Sequence, residues 1–118
     1  MNEQRARKLV AEERARIESA LAGLSGEIRD DGSLQRQQTG EAEDAGSALE
    51  SESISVALEA DLREHLAAVE RAEERIARGM FGRSVEIGQP IPDERLEAEP
   101  LAERTIEEQR RYEGRVHG

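Results

Sequence analysis

The chain has 118 residues, with 17 Lys+Arg against 27 Asp+Glu, a formal net charge of −10, and no cysteine or tryptophan. That length predicts one domain, and the lack of cysteine excludes disulfides, thiol nucleophiles and a cysteine-ligated zinc. The acidic balance, with one Phe and one Tyr, argues against a nucleic-acid backbone as the main partner, because phosphate binding needs a basic surface and base stacking needs aromatic rings. Residues 3–29 are predicted to form a helix: Val10, Ile17, Leu21, Leu24 and Ile28 recur at heptad-like spacing among Ala, Glu and Arg. Such a helix is roughly 40 Å long. Residues 30–46 break the pattern with Asp30, Asp31, Gly32, Gly40 and Gly46. Acids dominate from Asp30 to Glu52, where seven stand against Arg36 alone.

A second helix is predicted over 47–78. Ser47 and Glu50 have the spacing of a capping box, and Leu58, Leu62, Leu66, Val69 and Ile76 supply the seam, with Ala72 or Glu73 in the missing place. Gly79 is its predicted stop. Only 23 residues are Leu, Ile, Val or Phe, too few for a thick core but enough for two helices meeting along a narrow stripe. An antiparallel hairpin over 1–78, with an acidic tip at about 30–46, is the expected arrangement. From 80 to 100 the reading is turns and one short hairpin, punctuated by Gly82, Gly88, Pro90, Pro92 and Pro100. Helix resumes over 101–113. The fold class is therefore mainly α: a long coiled-coil hairpin, then a small subdomain over 79–118 carrying a C-terminal helix.

The stretch Gly79 to Gln109 reads GMFGRSVEIGQPIPDERLEAEPLAERTIEEQ. It resembles the DksA/TraR family of bacterial RNA polymerase regulators. Gly79, Phe81, Gly82, Gly88, Ile91, Arg95, Leu96, Ala98, Pro100 and Ala102 match the family pattern in order and without a gap. The four zinc cysteines of that pattern fall on Ser84, Ile87, Thr105 and Glu108. Glu41, Asp44 and Gly46 fall on the family's acidic D-x-x-D-x-A tip, forty residues before the lost first cysteine.

The resemblance implies a protein that docks at the rim of the RNA polymerase secondary channel, against the β and β′ subunits, and inserts its hairpin toward the catalytic centre. Glu41, Glu43 and Asp44 would act at the tip, and Arg95 would help to dock the base. Initiation would shift at selected promoters without sequence-specific DNA reading, and the free protein would be a monomer. Four-cysteine zinc is not expected. An apolar cluster of Phe81, Val85, Ile87, Ile91, Leu96, Leu101 and Ile106 is the expected replacement, Ile87 occupying a former ligand position. Binding of ppGpp is expected to be absent or weak: along Asp61–Ala68 only Arg63 is firmly basic, Arg95 persists, and Glu99 and Gln109 add no positive charge. His65 and His117 receive no role.

No catalytic residue is identified, because Glu41 and Asp44 would need a pocket that raises one pKa before acting as an acid/base pair. No leader and no apolar run of membrane-spanning length is read, so the cytoplasm is the expected compartment. The alternative function is a coiled-coil adaptor that kept the scaffold and lost polymerase binding.

Overall fold

The computed structural model describes residues 1–29 and 45–117. The elements are α1 (Glu3–Arg29), α2 (Ala45–Ala77), α3 (Asp93–Ala98) and α4 (Ile106–His117). The architecture is mainly helical, a two-helix hairpin followed by a small C-terminal region. No strand occurs among the described residues, where one isolated antiparallel bridge joins Arg83 and Pro90. The predicted short hairpin is thus reduced to a single bridge. Pro90 has no N–H to continue a ladder, and Gly88 turns the chain with φ +71°.

The chain divides into two compact units, Met1–Glu13 with Ala68–Gly118, and Arg14–Ala67. In the first, the start of α1 lies with the end of α2, the pairing that an antiparallel hairpin requires. Ala6, Leu9 and Val10 of α1 are buried, as are Val69, Ala72 and Ile76 of α2. Ile91 and Leu96 of the C-terminal region are buried as well. Ala72 fills the seam position that the sequence left between Ala72 and Glu73. A small side chain there lets the backbones approach without burying a carboxylate. In the second unit Ile17 is buried, while Leu21, Leu24, Leu62 and Leu66 are half-buried. Leu58 departs from the predicted seam and is 45% exposed.

Helix α2 begins at Ala45, two residues before the predicted cap Ser47. It ends as the sequence predicts, on Gly79 with φ +71°. The Gly79 amide donates to the Ile76 carbonyl at 3.0 Å, and the Met80 amide donates to the Arg75 carbonyl at 2.8 Å. This pair of bonds is a Schellman closure. It satisfies the last carbonyls and turns the chain into the C-terminal region.

The helix predicted over 101–113 is corrected. It starts at Ile106, and the short α3 precedes it. Pro92 leads into α3, its carbonyl accepting from the Arg95 and Leu96 amides. Leu96 is the buried residue of α3. A six-residue helix with one buried side chain leaves no periodic trace in a sequence. Gly82 stands at φ +89°, a backbone conformation that L side chains rarely adopt.

Candidate functional site

The positions corresponding to the four cysteines lie on two turns, which the fold brings together. The first turn spans Ser84–Gln89. Its backbone closes through Ser84 N–H to the Gln89 carbonyl at 2.8 Å and Gly88 N–H to the Ser84 carbonyl at 3.0 Å. Two further amides, of Ile87 and Gln89, donate to the Ser84 hydroxyl oxygen at 3.3 Å each. The second turn enters α4. Thr105 is its N-cap: the Thr105 hydroxyl accepts from the Glu108 amide at 3.2 Å, and the Glu108 carboxylate accepts from the Thr105 amide at 2.9 Å. This reciprocal pair is a capping box. Its T-x-x-E spacing coincides with the C-x-x-C spacing of the second ligand pair.

Further bonds cross between the two segments. The Ser84 hydroxyl donates to the other oxygen of the Glu108 carboxylate at 3.0 Å. The Gln89 side-chain amide donates to the Thr105 hydroxyl at 3.4 Å, and the Val85 amide donates to the Glu103 carbonyl at 2.9 Å. Glu108 is 0% exposed, and each of its oxygens has a protein donor. Its carboxyl is held below its ordinary value. The Thr105 backbone N–H is the largest influence, and with the Ser84 and Thr105 side chains it outweighs desolvation, which pushes upward. A second tie surrounds the first: Glu86 pairs with Arg104 at 2.9 Å, whose guanidinium lies 3.9 Å over the Tyr112 ring of α4.

These contacts correct the expected apolar cluster. Ile91 and Leu96 are buried, and Phe81 and Leu101 are half-buried. Val85 and Ile106 are about half exposed, and Ile87 is 71% exposed. What joins the two turns is a polar network on Ser84, Thr105 and Glu108, to which Ile87 contributes its backbone amide. A branched side chain at a surface turn finds no neighbours to bury it, whereas the ligand-facing interior already holds the Glu108 carboxylate. Ile87→Ala is therefore expected to shift stability by no more than about 0.5 kcal/mol, as surface substitutions do. A thermal melt checks this, and a loss of several times that size would restore the apolar cluster.

The donor set does not fit zinc. Zinc takes thiolate, imidazole or carboxylate ligands, usually four in a structural site. Here one position in four supplies such a donor, and both Glu108 oxygens are engaged by Ser84 and Thr105. No cluster of His, Cys, Asp and Glu suited to a metal occurs among the described residues.

Arg95, the candidate docking residue, is held inside the C-terminal region. Its Nε donates to the Arg104 carbonyl at 2.9 Å, and its side chain is 14% exposed. This bond ties α3 to the turn before α4. Glu41, Glu43 and Asp44 lie outside the described residues. Sequence reasoning missed Arg71, Arg75 and Glu103, which form an ion cluster linking α2 to the chain before α4. Glu103 accepts from Arg71 Nε and from Arg75 Nη1 at 2.9 Å each. Burial pushes the Glu103 carboxyl up, but the two guanidinium groups more than offset it and leave the carboxyl below its ordinary value. Arg71 and Arg75 are four apart, a helical signal that becomes visible only once Glu103 is known to fold back on them.

The model of the prokaryotic dksA/traR C4-type zinc finger matches residues 88–114. The structure of transcription factor DksA2 from Pseudomonas aeruginosa is similar at 30% sequence identity and a TM-score of 0.78, covering 98% of this chain and 86% of that one. No curated protein matches the chain significantly.

Proposed function

The chain belongs to the DksA/TraR family, and from that premise we propose that it is a transcription regulator that binds RNA polymerase through the secondary channel. The observation that supports this reading best is likeness along the whole chain, hairpin included, rather than over the finger alone. A protein that had kept only a finger would have no use for paired helices of 27 and 33 residues. At 1.5 Å per residue these are roughly 40 and 50 Å long, a reach suited to carrying a charged tip down a channel.

In this reading the C-terminal region docks against the β and β′ subunits. Arg95 acts there by holding α3 in place as much as by direct contact. Glu41, Glu43 and Asp44 act at the tip, placing carboxylates near the basic and magnesium-linked groups of the polymerase centre. The protein acts without zinc, because its two turns are joined by hydrogen bonds. It acts as a non-enzymatic monomer in the cytoplasm, with weak or no response to ppGpp. No helix among the described residues is long and apolar enough to cross a membrane.

The test is capture of RNA polymerase core by the purified chain, with and without a competing secondary-channel factor. Binding that the competitor displaces is the expected result. Asp44→Asn is expected to retain that binding and to lose most of the effect on open-complex lifetime at sensitive promoters. Absence of binding at micromolar concentrations would leave the adaptor reading. An Asp44→Asn variant with full effect on initiation would remove the tip assignment alone.

A further inference from the structure

A cleft of about 410 Å³ lies between the end of α2 and the first turn of the C-terminal region, within the size range of small-molecule sites. Arg71 and Arg75 of α2 and Arg78 just past its end line it together with Arg83 of the turn, and Glu74 and Glu103 are the acids of its wall. Four cations against two anions leave the lining at net charge +2, in a chain whose net charge is −10. The spacing of four residues puts Arg71 and Arg75 on one face of α2, and Arg78 follows in the turn that closes the helix.

Their existing partners do not use them fully. Glu103 takes Arg71 and one nitrogen of Arg75. Arg75 is only 15% exposed, and its Nη2 is buried without a hydrogen-bond partner. A buried guanidinium N–H that lacks an acceptor is costly, and few folded proteins retain one without a reason. Desolvation lowers the Arg75 pKa despite the neighbouring Glu103, so the carboxylate compensates only part of the burial. Arg78 pairs with Glu74 at the surface, and Arg83 donates to the Gly88 carbonyl at 3.1 Å. Exposed pairs of this kind contribute little, so both side chains are free to turn toward a stronger anion. Met80 and Val85 also line the cleft, and each is about half exposed.

We propose that this cleft binds a small organic phosphate monoester, with the phosphate on Arg75, Arg78 and Arg83 and the organic part against Met80 and Val85. A phosphate monoester carries close to two negative charges at neutral pH, which matches the excess charge of the lining. Its oxygens suit the planar fork of guanidinium donors. A monocarboxylate matches less well, since Glu103 already supplies one. The proposal is independent of polymerase binding and is tested without it.

The experiment is an NMR titration of the full chain, following the arginine Nε–H signals and the Met80 methyl. The probes are phenyl phosphate, inorganic phosphate and benzoate. Phenyl phosphate is expected to give saturable shifts at Arg75, Arg83 and Met80. Inorganic phosphate should bind the same arginines about tenfold more weakly, and benzoate should not saturate. Arg83→Gln alters an exposed side chain and should keep the thermal midpoint while weakening phenyl phosphate about tenfold, the effect of one charge-assisted hydrogen bond. Shifts that fail to saturate, that are as large at Arg63 and Arg110 as at the cleft, or that survive Arg83→Gln at full affinity would each overturn the proposal. Equal affinity for benzoate would overturn the phosphate assignment.

Discussion

Glu108→Ala is expected to lower the thermal midpoint by about 10 °C, a large change for a domain of this size. Three effects combine. The Thr105 amide loses its acceptor at the start of α4, so the capping box opens. The Ser84 hydroxyl loses the one acceptor for its proton, while its two lone pairs stay occupied by the Ile87 and Gln89 amides. The two turns then keep only the longer Gln89–Thr105 side-chain bond between them. Glu108→Gln should cost much less, because glutamine also serves at the third position of a capping box. Its remaining defect is at Ser84: an amide NH₂ facing that hydroxyl meets an oxygen with no lone pair to spare.

The same carboxylate sets an acid limit. The folded-state pKa of Glu108 lies below its ordinary value of 4.5. Its stabilising contribution is therefore complete above about pH 4.5 and is lost as pH falls through the folded value. Glu97, lowered by its hydrogen bond with Arg5, and Glu103, lowered by Arg71 and Arg75 against the opposing effect of burial, act in the same direction. Thermal melts of the natural chain should show a midpoint that falls steeply below pH 4.5. Glu108→Gln should flatten part of that fall, and identical slopes in the two proteins would contradict the role given to Glu108.

The long helices were legible because they obey repeating rules. A stripe at heptad spacing defined α1 and α2, and Gly79 marked the stop of α2 because only glycine enters the left-handed region there without strain. The join between the two turns was harder to read for a reason specific to these residues. Considered as lost ligands, Ser84, Thr105 and Glu108 look like defects, and the apolar neighbours look like the remedy. Considered as a helix start, T-x-x-E is an ordinary capping signal. The bond from Glu108 to Ser84 spans 24 residues, and local rules contain nothing about such a distance. Arg71, Arg75 and Glu103 were hidden in the same way, since a surface-looking glutamate 28 residues from Arg75 announces no partner.

The variant Ser84→Cys, Ile87→Cys, Thr105→Cys and Glu108→Cys is expected to bind one zinc ion per chain and to become dependent on it. The backbone around the first position already has the form that a thiolate ligand needs. The Ile87 and Gln89 amides converge on the Ser84 side-chain oxygen, and a sulfur at that place accepts from the same donors. Ser84 and Glu108 are in hydrogen-bond contact, so the two turns are close enough to share one ion. Structural zinc sites are worth roughly 10 kcal/mol or more, far above the network they would replace. Zinc-loaded variant should therefore melt at or above the natural chain. A chelator should lower its midpoint by well over about 10 °C, since the capping box and the Ser84–Glu108 bond are both gone. The natural chain should melt at one temperature with zinc, with chelator or with neither. Metal content by mass spectrometry, together with melts under the three conditions, decides the matter. A variant that takes up no zinc would mean that the two turns are not placed to share one ion. A natural chain destabilised by chelator would mean that hydrogen bonds alone do not join them.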